Sequence, residues 1–198
     1  MLSALGRAAA LAVLLATAST AQAQSVTVRI ATSLGDITIE LDTAHAPVTT
    51  ANFLKYVDGG FYTNGRFHRA TGEGNYTVAL PNRPMMEIIQ GGINLARRGE
   101  GFPPIPLERT SVTGLKHVVG IVSMARGGPD STTSDFFILL NDQPSLDYGG
   151  KRFDDEQGAA AFGHVVSGMD VVRKIQQQPT NGQSLEPPIT ILSATRVK

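Results

Sequence analysis

Val26, Val28 and Ile30 alternate with Thr27, Arg29 and Ala31. Beyond Ser33-Leu34-Gly35-Asp36, Ile37, Ile39 and Leu41 alternate with Thr38 and Glu40. A period of two on both sides of a turn predicts a hairpin with one buried and one wet face. Ile189 and Ile191 repeat the alternation near the other end, in a strand running on towards Val197 and placed to pair near the first hairpin and help close a barrel. Helical spacing occurs twice. Pro47 suits a first-turn position, Phe53, Leu54 and Val57 share a face, and Gly59-Gly60 ends the run. Ser167-Gly168 precedes Met169, Val172 and Ile175, with Asp170 near the positive helix start, and Pro179 prevents continuation. Two helices among short, glycine-punctuated strands predict a mostly-β barrel with a helix over each open end.

The first 23 residues carry a different signal. Arg7 precedes the apolar stretch from Ala8 to Ala16, and Ala21-Gln22-Ala23 fits a small-x-small cleavage site. This predicts a secretory signal peptide over 1–23, cut after Ala23, with one domain over 24–198. The apolar stretch is shorter than the roughly 20 residues that cross a bilayer, and no later stretch suggests stable membrane insertion. Removing 23 of 198 residues leaves 175, enough for one domain with a real core. Only Arg7 is lost among charged groups, so 16 Lys+Arg face 17 Asp+Glu, a balance that argues against nucleic acid as a partner. With no cysteine, stability must come from burial.

Two segments read as long loops, and loops of such length are uncommon unless functional. One lies between Arg69 and Gln90. The other runs from Asp147 to Gly158 and holds Lys151, Arg152, Asp154, Asp155 and Glu156, a cluster read as solvated surface. Familiar chemistries find little support. There is no Gly-x-Ser-x-Gly elbow, and Ser123 and Ser134 have no base partner legible in the chain. His45, His68, His117 and His164 lack the His-Glu-x-x-His spacing, so no metal site is predicted. Gly149-Gly150-Lys151-Arg152 lacks the rest of a Walker A loop.

Three ordered blocks remain: Phe67-His68-Arg69, then Ile88-Ile89-Gln90-Gly91-Gly92, then the run from Gly120 through Ser123-Met124-Ala125-Arg126 to Ser134-Asp135-Phe136-Phe137-Ile138. Together they resemble the cyclophilins, a family of peptidyl-prolyl cis-trans isomerases. The resemblance implies a closed eight-stranded antiparallel β-barrel capped by two α-helices, needing no cofactor and no metal. Arg69 matches the catalytic arginine, whose guanidinium donates to the proline nitrogen as the amide twists. Gln90 matches the glutamine that braces it and reaches the substrate backbone. Ala125 and Arg126 match the strand edge that pairs with bound peptide, Phe137 the floor of the proline pocket, and Leu146 its wall. Phe136 is then the core member of its pair, and His68 is structural, pointing away from the face of Arg69.

Several positions depart from the family pattern. Glu87 stands where Phe is usual, leaving Met85, Met86 or Ile88 to fill that wall. Asp135 replaces a common Gln and is read as a substrate-binding residue in its place; Ser145 replaces a Trp or Phe, and Ala159 a His or Tyr. Because the missing Trp contributes to cyclosporin binding in the family, weak cyclosporin sensitivity is expected. The implied partners are proline-containing unfolded or flexible polypeptides, met by a monomer that is exported, and periplasmic in a Gram-negative source. Two alternatives stand beside this reading: a catalytically weak peptide-binding module, and a barrel holding a small apolar ligand inside. The density of Phe and Ile favours a filled barrel over the last.

Overall fold

The computed structural model describes residues 26–75 and 85–197. The predicted signal peptide and residues 76–84 of the loop before Gln90 lie outside the described residues. The strands are β1 (Val26–Thr32), β2 (Gly35–Leu41), β3 (Gly65–Thr71), β4 (Ile88–Gly92), β5 (Ile121–Met124), β6 (Phe136–Leu139), β7 (Ala160–Ser167), β8 (Thr180–Asn181) and β9 (Ser184–Arg196). Pairing runs β1-β2-β7-β5-β6-β4-β3-β9, and β9 returns to β1 with Val28 opposite Arg196. Eight antiparallel strands therefore close on themselves, while β8 pairs only with β9. Closure leaves no long unpaired edge in the barrel wall.

Helix α1 (Pro47–Asp58) starts with Pro47 in its first turn, as the sequence predicts, and ends at Gly59. Its first turn holds no acid and its cap residue Ala46 offers no side-chain acceptor. Glu108 compensates: its carboxylate accepts from Val48 N at 3.0 Å and Thr49 N at 2.7 Å, satisfying two donors that the helix leaves open. A single-turn helix, α2 (Thr110–Thr113), was not expected from periodicity, being too short to show one. Helix α3 (Met169–Gln176) follows Gly168, which has φ +93°; a Cβ there would lie 2.3 Å from the Asp36 carbonyl oxygen. Asp36 lies at the start of β2 beside Gly35, and Asp42 follows the end of that strand, where it leads into α1, so α3 and α1 lie at opposite ends of the barrel.

Inward-facing Val28, Ile30, Ile37, Ile39, Ile89 and Ile138 fill the interior together with Phe67, Phe136 and Phe162. From the helices, Phe53 of α1 meets Phe136 edge-on with centroids 5.5 Å apart and Phe162 at a tilt at 5.2 Å, and Val171, Val172 and Ile175 of α3 are buried in the same core. The interior is packed with side chains, as the Phe and Ile content predicts.

Two boundaries differ from expectation. Strand β3 runs two residues past Arg69 and β4 begins two before Gln90, so both ends of the predicted loop belong to strands. Strand β9 begins at Ser184, upstream of Pro187-Pro188, which argue against a strand from sequence. The prolines are tolerated because the β3–β9 register jumps there, from Phe67 opposite Ile189 to Arg69 opposite Ser184. They sit in the bulge, where no ladder donor is required.

Candidate functional site

The barrel wall sorts its residues by parity. Arg69 stands opposite Gln90, Gln90 opposite Phe137, and Phe137 opposite Ser123. Directly opposed residues in antiparallel ladders project to one side. With Ile89, Phe136 and Ile138 pointing into the core, this transverse row faces outward. Ile88 and Ala125 lie two residues along from Gln90 and Ser123 and share its face. Arg69 and Phe137 are two strand spacings apart, about 10 Å.

Outward-facing apolar residues would normally meet water, yet here they form a second apolar cluster. Ile88, Phe137, Leu139 and Leu146 are buried together with Met86 and Ala159, and Ala125 and Phe153 pack against them. Phe136 belongs to the core cluster and Phe137 to this one, as alternation requires. Met86 occupies the wall that Glu87 leaves open. Its neighbours are firmly held: Thr71 Oγ1 donates to the Met86 carbonyl, and Asn141 and Gln143 both donate to the Met85 carbonyl, at 3.1 and 2.7 Å. The Ser145 hydroxyl donates to Gln143 Oε1 at 3.3 Å.

Arg69 follows a register shift on both of its neighbouring ladders. Bulges re-aim side chains, and this one delivers the guanidinium between two amides. Nη1 donates to Gln90 Oε1 at 3.0 Å, while Nε and Nη2 donate to Gln183 Oε1 at 2.9 and 2.7 Å. Both of these acceptors are neutral amide oxygens.

Arg126 does something the sequence did not reveal. Its side chain is fully buried and grips the 147–158 loop: Nε donates to the Gly158 carbonyl at 2.6 Å, and Nη1 and Nη2 form a bidentate pair with Asp155 at 2.8 and 2.7 Å. Its guanidinium also lies over the Phe153 ring, 3.7 Å from the centroid. The loop charges Lys151, Asp154, Asp155 and Glu156 are exposed, as the sequence reading has it, but Asp155 is also an anchor, and the Arg126 bond holds its carboxyl down at about 2. Lys151 likewise pairs with Glu156. What remains for a ligand at position 126 is the backbone, and the neighbouring Ala125 N–H already donates to the Asp135 carbonyl at 2.8 Å.

Ser123 also has a partner, contrary to the sequence reading. His117 Nε2 lies 3.1 Å from Ser123 Oγ, and its Nδ1 lies 2.8 Å from Asp147 Oδ1. The three side chains have the order of a hydrolytic triad, but Ser123 is 0% exposed and His117 1%, so no substrate carbonyl reaches the hydroxyl. The arrangement works as a tie instead. Ser123 sits two residues before Ala125 and Asp147 one after Leu146, so His117 links the strand edge to the pocket wall.

The side chain of Asp135 projects to a neighbouring cavity of about 420 Å³, lined by Tyr56, Arg66, His68, Arg98, Ser134 and Asp135. Neither Arg69 nor Phe137 lines it. His68 Nε2 is 3.7 Å from Asp135 Oδ2, and burial keeps the imidazole below its usual pKa against the pull of that carboxylate. Thus Arg69, Gln90, Ile88, Ala125, Phe137 and Leu146 converge on one face, whereas the side chains of Arg126 and Asp135 leave it. Sequence reasoning missed Gln183, Phe153 and the His117–Asp147 tie. Asn181-Gly182 marks a turn just before Gln183, but nothing in the spacing connects that turn to Arg69, 114 positions away.

The sequence profile of the family described as cyclophilin type peptidyl-prolyl cis-trans isomerase matches residues 27–196. The chain is 36% identical over 180 residues to "Peptidyl-prolyl cis-trans isomerase A" of Dickeya dadantii, covering 88% of this chain and 86% of that one. It is 38% identical over 155 residues to a peptidyl-prolyl cis-trans isomerase of Acinetobacter baylyi, with coverage of 78% and 73%. Among solved structures, a cyclophilin-type isomerase of Cryptosporidium parvum, crystallised in the presence of the dipeptide Ala-Pro, superposes with a TM-score of 0.68 at 25% identity, covering 87% of this chain and 99% of that one. Profile, relatives and closed barrel agree: the chain belongs to the cyclophilin-type peptidyl-prolyl cis-trans isomerase family.

Proposed function

We propose that this protein accelerates rotation about X–Pro bonds in exported, unfolded or flexible polypeptides, assisting their folding, with Arg69 as the catalytic residue. The observation that carries the reading is the row Arg69–Gln90–Phe137 beside the apolar cluster. A proline ring seats on Phe137 among Ile88, Met86 and Leu146, out of water. The guanidinium, steadied by Gln90, donates to the proline nitrogen as it pyramidalises. That bond is stronger in the twisted state than in either planar one, which is the condition for catalysis. Uncatalysed exchange takes about 10–100 s, so a median turnover near 10 s⁻¹ requires roughly 100- to 1,000-fold acceleration, about 3–4 kcal/mol. One well-placed cationic donor in a desolvated site supplies an effect of that order.

The export assignment rests on the sequence pattern of residues 1–23. Cleavage after Ala23 leaves β1 whole, since that strand begins at Val26. The mature protein acts as a monomer in a periplasmic or secreted setting. Fractionation with N-terminal sequencing tests this: a mature N-terminus at Gln24 is expected, and an uncleaved cytoplasmic chain would overturn it.

Protease-coupled isomerisation of a short prolyl peptide tests the catalytic role. Arg69→Ala should lower kcat/KM by about a hundredfold. Equal rates in the two proteins, with peptide binding retained, would instead favour a binding module. Glu87 and Ser145, which leave the family pattern beside the pocket, are the features that keep that second reading in view.

A further inference from the structure

A guanidinium can turn about four side-chain bonds, and a donor that must meet a transient amide nitrogen works best when it is already aimed. Gln90 fixes one nitrogen, Nη1. The opposite edge, Nε with Nη2, is fixed by the single oxygen Oε1 of Gln183. Gln183 is itself well placed to hold that edge. It lies between β8 and β9, and its carbonyl accepts from Ala70 N at 3.0 Å, which docks its backbone beside the strand that carries Arg69. Asn75 reinforces the joint, donating to the Ala70 carbonyl and to Thr180 Oγ1, both at 3.1 Å.

We propose that Gln183 is a positioning residue for the isomerisation, holding the Arg69 guanidinium in the plane from which it reaches the proline nitrogen. The inference rests on the catalytic reading of Arg69 given above. The chemistry of the acceptor matters as much as its place. A neutral amide oxygen orients the cation without cancelling its charge, whereas a carboxylate at the same point would hold the guanidinium at least as firmly and draw off the field that the twisted amide uses. A purely structural contact would be served equally by either acceptor.

The test is a double-mutant cycle in the protease-coupled assay, with thermal melts as a folding control. Gln183→Ala should lower kcat about tenfold with KM nearly unchanged. In the Arg69→Ala background the same substitution should change nothing, because its effect passes through Arg69. Gln183→Glu should also lower kcat, with a melting temperature equal to or above that of the wild type. Wild-type turnover in both Gln183 variants would overturn the proposal. So would an equal loss with and without Arg69, which would place the action of Gln183 elsewhere. Should Arg69→Ala alone leave the rate intact, the catalytic reading fails and takes this inference with it, an outcome distinct from failure at Gln183.

Discussion

Arg126 illustrates how one side chain sets both a loop and a wall. By pairing with Asp155 and lying over Phe153, it draws the 147–158 loop against the cluster that holds Phe137. The Asp155 carboxyl, held at about 2 against an ordinary 3.8, binds its proton more weakly in the folded than in the unfolded chain. Its contribution is therefore complete above pH 3.8 and is lost as pH falls through 2. Thermal melts of wild type and Asp155→Asn should differ at pH 5 and converge as pH approaches 2; a gap that is constant with pH would show that the pair adds nothing. At Ser145 the hydroxyl bonds to Gln143 and offers no indole to a ligand. Cyclosporin should accordingly bind weakly, and calorimetry giving a sub-micromolar Kd would contradict this. Residues of this kind were only half legible in the sequence. The positions of Phe137 and Arg69 could be read from the ordered blocks that contain them, but Arg126–Asp155 and Arg69–Gln183 join positions 29 and 114 apart, and no local period records such a pairing.

Elements were more legible than contacts, because their signals are local. Alternation announced β1 and β2, and Pro47 and Gly59 bracketed α1, since each acts on its own turn of chain. The start of β9 was hidden because Pro187 and Pro188 are acceptable only where the ladder skips, and that skip is a property of β3 and β9 together. The same dependence governs the start of α1, where the acid that local rules would seek in the first turn comes from Glu108, 60 positions from Val48. Glu108→Ala should lower stability by about 1 kcal/mol, as loss of a cap does, and leave turnover unchanged. Gly168→Ala faces positive φ and the Asp36 carbonyl at once, and should cost more, about 2–3 kcal/mol. Denaturant melts rank the two, and the opposite order would show that the α3 start can relax.

At the scale of the molecule, two apolar regions share one wall without merging: the barrel interior and the outer cluster around Phe137. Phe137→Ala should therefore abolish most turnover at a stability cost well below that of Phe136→Ala, which opens a hole in the core and should cost about 3–5 kcal/mol. Equal costs measured by urea unfolding would mean that the regions are not separable. The seam between β1 and β9 governs the rest. Ser193, Ala194, Thr195 and Arg196 are the partners of Ala31, Ile30, Arg29 and Val28, and Arg196 also pairs with Asp58 at the end of α1. Truncation before Ser193 should abolish cooperative melting. A chain stitched this way has a temporal constraint. While the ribosome still holds β9, β1 lacks its second partner, so the sheet stays an open ribbon however much has emerged. Closure of the wall thus comes last in the order of synthesis, since the strand that completes it is the final one of the described fold, however early the first hairpin forms.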